Sequence, residues 1–131
     1  MMAIRCFKLA GLYLIAGMSL GAAMGATHQF ALAPVHAHLN LLGWTLLALA
    51  GLILARFPHL AETHLAQGFF WIYNLSLPLS MALLAALRSG HTEVEPALGI
   101  ASMGMWLGGL LWVLNLLLHL QPAHLPAHRS A

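Results

Sequence analysis

The chain has 131 residues, 61% of them hydrophobic and only 6% charged, and its mean hydropathy of +0.85 excludes a soluble globular domain of this size. Five Lys/Arg against three Asp/Glu, scattered among segment ends, exclude a nucleic-acid-binding patch. The single Cys6 excludes an intramolecular disulfide, a Cys-based metal cluster and a C-x-x-C-H site for covalent heme.

Four apolar stretches, at about 9–27, 35–55, 68–87 and 97–118, are each long enough to cross a bilayer, for which about 20 residues suffice. The breaks carry turn signals: Gln29 to Pro34, Arg56-Phe57-Pro58-His59, and Arg88-Ser89-Gly90-His91 through Pro96. Connections this short make neighbouring helices antiparallel. The predicted fold is therefore all-α, an integral membrane four-helix bundle of up-down topology with a tail over 119–131.

The first stretch follows Arg5 and Lys8, a basic start that a signal peptide would share, and Cys6 is expected as a free thiol near the membrane surface. Its apolar run exceeds the roughly 7–15 residues of a signal core, so a retained span is expected. Gly17, Gly21 and Gly25 fall at four-residue spacing on one face, where another helix can approach closely. Gly104 and Gly108 make a second such face, and the two seams predict a homo-oligomer or docking against other membrane subunits.

With the N-terminus inside, Arg5, Lys8, Arg56 and Arg129 are cytoplasmic and Arg88, beside Glu93 and Glu95, is outside. This bias predicts cytoplasmic termini and, in a bacterium-like cell, the inner membrane. His28, His36, His38 and His91 then belong to the outer side. His59, His64, His119, His124 and His128 belong to the inner side, where solvated imidazoles are expected. No Asp, Glu, Lys or Arg lies within a span, which argues against autonomous ion-coupled transport.

The second stretch opens on His36-Ala37-His38-Leu39-Asn40-Leu41-Leu42-Gly43-Trp44. Imidazoles and amides at membrane depth are costly unless they face a bundle interior, a cavity or a ligand. Two residues apart on a helix is about 200°, so His36 and His38 face opposite ways. His36 shares its side with Asn40 and Gly43, and His38 with Leu42 and Thr45. One is expected to ligate and the other to cap, hydrogen-bond or rest at the headgroups, the alternative being two hydrated imidazoles at the outer interface. His28 continues the glycine face of the first helix and is the nearest imidazole partner for His36. In the later spans, Asn74 and Asn115 are placed to pair across the third and fourth helices. Pro78 is expected to kink the third, with Ser76 and Ser80 taking up freed carbonyls.

The His38-Leu39-Asn40-Leu41-Leu42 register resembles the second transmembrane helix of the heme-copper oxidase subunit I superfamily, nitric oxide reductases included. There a histidine ligates the low-spin heme. Phe70-Trp71 faintly resembles a later helix of that superfamily, although Phe69 stands where a histidine commonly does. The chain looks most like small four-helix proteins classed as subunit I-like. It lacks the histidine cluster for copper and the second heme iron, so the resemblance implies no autonomous oxygen reduction.

The resemblance implies a heme b-binding membrane protein for electron transfer or small-gas sensing. His38 would be one axial ligand, supported by Thr45 or nearby backbone, and the second would come from His28, Met103, Met105 or another copy. A non-catalytic structural or assembly subunit is the main alternative. A third is copper or zinc held on the outer side by His28, His36 and His91.

Overall fold

The computed structural model describes residues 1–121, so the tail expectations for His124, His128 and Arg129 lie outside the described residues. Four long helices carry the fold: α1 (Met2–Thr27), α2 (Ala33–Arg56), α3 (His64–Arg88) and α4 (Glu95–His119). No strand occurs among the described residues. Each helix lies within a segment long and apolar enough to cross a bilayer. Large apolar side chains such as Leu12, Leu52, Leu75, Ile100 and Leu117 point outward, as a lipid-facing surface requires and a water-facing one penalises. This is a multi-pass membrane bundle.

The helix ends follow local chemistry. α1 stops where His28 takes a left-handed conformation (φ 54°), and Pro34 opens the first turn of α2, where its missing N–H costs nothing. Thr63 caps α3, its Oγ1 accepting from the Ala66 amide at 3.0 Å. Glu95 and Pro96 open α4.

α1 begins well before its apolar run because the helix continues through Arg5 and Lys8. Cys6 is a free thiol near the start of this helix, and its side chain is fully buried among the helices. The thiol faces the core with Met2 and Ala10, while the two cations occupy the outward face.

The molecule is two antiparallel hairpins, α1 on α2 and α3 on α4. They meet over a core that includes Cys6, Leu47, Leu54, Leu60, Phe69, Tyr73 and Leu77. Trp112 of α4 packs on Phe69 at 4.9 Å between ring centroids. Phe69 is thus a core residue. At the far end Arg88 Nε donates to the Ala31 carbonyl at 3.0 Å, tying α3 to the α1–α2 connection.

Both termini of the described chain lie at one end of the bundle, with the α2–α3 connection. Met1 and Met2 share a concavity with Leu54, Pro58 and Glu62, and His59 Nε2 bonds the His119 carbonyl at 3.2 Å. The asparagines do not pair across α3 and α4. Asn115 is fully buried and reaches the α2–α3 connection instead. It donates to the Leu60 carbonyl at 3.1 Å and accepts from Thr63 Oγ1 at 2.8 Å. Asn74 donates within α3 to the Phe70 carbonyl at 2.7 Å. Nor do the serines beside Pro78 serve as expected: Ser76 Oγ faces Gly104, and Ser80 Oγ is buried without a hydrogen-bond partner among the described residues.

Candidate functional site

α2 carries the polar residues at the bundle end remote from the termini, and it is not one regular helix. An α-helical Ala33–His38 leads into a π-helical Leu39–Thr45, followed by α-helical Leu46–Arg56. π-helical insertions are rare and concentrate at functional sites. In this one, Thr45 Oγ1 donates to the Asn40 carbonyl at 3.0 Å, and Tyr73 of α3 donates through its hydroxyl to the Leu42 carbonyl at 3.1 Å. Gly43 lies against Tyr13 so closely that a Cβ there would stand 2.5 Å from the Tyr13 ring.

His36 and His38 precede that insertion and point to opposite sides. His36 is half-buried in the α1 seam, where its Nδ1 lies 2.7 Å from the Gly17 carbonyl. A carbonyl only accepts, so Nδ1 carries the hydrogen and donates. Asn40 donates to the His36 carbonyl at 2.9 Å and fills the space over Gly17, while the His36 ring fills the space over Gly21. The Gly17–Gly21 seam is therefore occupied within the chain rather than left for another copy. Gly104 and Gly108 are likewise covered by Ser76 and Tyr73. Gly25 alone of the first seam stays open.

His38 has the other environment. It is exposed on the outward face of α2, and its Nδ1 donates to the Pro34 carbonyl of the preceding turn at 2.7 Å. In the neutral ring this places the lone pair on Nε2. The support comes from backbone and not from Thr45, which is engaged by Asn40. A shallow concavity of about 200 Å³ lies at the ring, lined by Ala37, His38, Leu41 and Leu42. Leu42 also belongs to a groove of about 510 Å³ between α2 and α4, with Leu46, Met105, Trp106 and Trp112 in its walls and Tyr73 at its base.

The remaining candidates separate. Met105 is half-buried and lines the α2–α4 groove, whereas Met103 is 63% exposed on the lipid side. His28 is exposed at the end of α1, and His91 sits in the α3–α4 connection beside Glu93, 3.2 Å from its Oε1. The copper or zinc set of His28, His36 and His91 is not assembled, because His36 is turned into the α1 seam while the other two project outward. No group of three His, Cys, Asp or Glu able to hold a metal occurs among the described residues. The π-helical turn and the Pro34 acceptor were absent from the sequence reading, although Pro34 four residues before His38 was a signal for the latter.

No curated protein and no solved structure matches the chain. A family model, described as Protein of unknown function (DUF2871), matches residues 4–114, a stretch that contains α2, α3 and nearly all of α1 and α4. The chain belongs to the DUF2871 family.

Proposed function

We propose that the protein binds heme b at the end of α2 remote from the termini, with His38 Nε2 as an axial ligand, for electron transfer or small-gas sensing. The observation that carries this reading is the Nδ1–Pro34 hydrogen bond. A ligating histidine commonly donates its other ring N–H to a carbonyl or carboxylate, which fixes the ring and its tautomer. His38 has that arrangement and an open apolar concavity at its ring. His36, by contrast, is held in helix packing, and Asn40 is held with it.

The residues fit one axial position well. For the second, Met105 is the candidate that lines a groove together with α2; Met103 and His28 do not line it. Heme would supply a one-electron couple, or an iron site for a diatomic gas where the sixth position is free. The groove walls Leu42, Leu46, Trp106 and Trp112 would cover one side of the macrocycle. The opposite side faces lipid, so the reading includes a second copy or another membrane subunit over the α2–α4 face.

The sidedness proposed is inner membrane with both termini cytoplasmic. Arg5, Lys8 and Arg56 cluster at the termini end, against Arg88 at the other. This puts His38 in the outer part of the bilayer. The test is a pyridine hemochrome spectrum of the purified protein, expressed with ample heme, as wild type, His38→Ala and His36→Ala. A b-type band in the wild type and His36→Ala, lost in His38→Ala, is expected. A colourless wild type would favour a structural or assembly subunit.

A further inference from the structure

Between α1 and α3, near the termini end, lies a second lateral groove of about 490 Å³ lined by Arg5, Lys8, Leu9, Phe70, Trp71 and Asn74, among others. Arg5 and Lys8 are three residues apart on a helix and therefore neighbours on one face. Both are exposed, and neither forms an ion pair or hydrogen bond through its side chain among the described residues. Below them the walls are aromatic and aliphatic. Arg5 also shares a concavity with Gln67, which sets the two helices in register. Asn74, seven residues beyond Gln67, then lies about 6 Å deeper than Lys8 at 1.5 Å per residue. Its amide nitrogen gives one hydrogen to the Phe70 carbonyl and has a second by valence.

We infer that this groove binds one glycerophospholipid with an anionic headgroup. Two unpaired cations at the rim match the phosphate, and Trp71 suits the headgroup level, where indole rings concentrate. The second N–H of Asn74 lies at the depth of a glycerol ester carbonyl, and Leu9 and Phe70 line the path of an acyl chain. A zwitterionic lipid brings the same tail without net charge to match Arg5 and Lys8. The inference is independent of the heme reading.

The experiment is native mass spectrometry of the full chain in detergent, with phosphatidylglycerol and phosphatidylcholine of identical acyl chains added in competition. One retained phosphatidylglycerol per protein is expected. In Arg5→Gln/Lys8→Gln the preference should fall by about tenfold or more, while Arg56→Gln, at the same end but outside the groove, should keep it. Asn74→Leu should weaken retention of both lipids. The exposed positions of Arg5 and Lys8 make the double variant safe for folding, and its thermal midpoint checks this. Equal retention of the two lipids, or equal loss in Arg56→Gln, would overturn the inference. So would sn-glycerol 3-phosphate displacing the lipid, since the site would then be reading free phosphate.

Discussion

The imidazole of His36 occupies the space that a side chain at Gly21 would need: a Cβ there would stand 2.7 Å from His36 Cε1. This contact divides the two histidines of α2 into different roles. His36 is a packing and hydrogen-bonding element between α1 and α2, and His38 is left with an available nitrogen on the opposite face.

Gly21→Ala should therefore destabilise the monomer fold by about 1–3 kcal/mol, because the ring must leave its position over Gly21 and strain its bond to the Gly17 carbonyl. His36→Ala in the same background should cost less than the sum of the two single changes, since the added methyl then fills vacated space. Thermal unfolding in a fixed detergent measures the cycle. Strict additivity, or an altered oligomeric mass at unchanged stability, would place the seam between copies.

Cys6 gives a separate test of where α1 begins. The thiol is fully buried in the first turns of a helix that starts at Met2, although its neighbours Arg5 and Phe7 are exposed. A membrane-permeant maleimide should leave it unmodified in the folded protein and modify it fully after unfolding in SDS. Rapid labelling of the folded protein would mean that α1 starts later and that Cys6 lies outside the core.

Much of this architecture was legible in the chain, because hydropathy marks spans and helical geometry alone puts His36 and His38 on opposite faces. What remained hidden depends on contacts between residues distant in sequence. Gly17 and Gly21 mark a close approach without saying whether the partner is the same chain. The partner turned out to be His36 and Asn40. Asn115 could have met Asn74 by depth, but the α2–α3 connection folds inward to offer Leu60 O and Thr63 Oγ1. The π-helical turn coincides with the approach of Gly43 to Tyr13 and the Tyr73 bond to Leu42, neither of which leaves a periodic trace. For the site, the His38 side was readable and its Pro34 acceptor was one turn away. The α2–α4 groove needed the packing of the two hairpins.

Sidedness is checked by a reporter fused after Ala131. Cytoplasmic activity is expected from the grouping of Arg5, Lys8 and Arg56 at the termini end. Activity on the outer side would reverse the placement of His38 and put the Arg5–Lys8 groove in the outer leaflet.

The central claim is tested most directly by the absorption spectrum of the purified protein after expression with ample heme, compared across wild type, His36→Ala and His38→Ala. The account predicts a b-type spectrum in wild type, retained in His36→Ala with at most a shifted potential, and abolished or strongly altered in His38→Ala. Loss in His36→Ala alone, or a wild-type protein that takes up no heme, would contradict it.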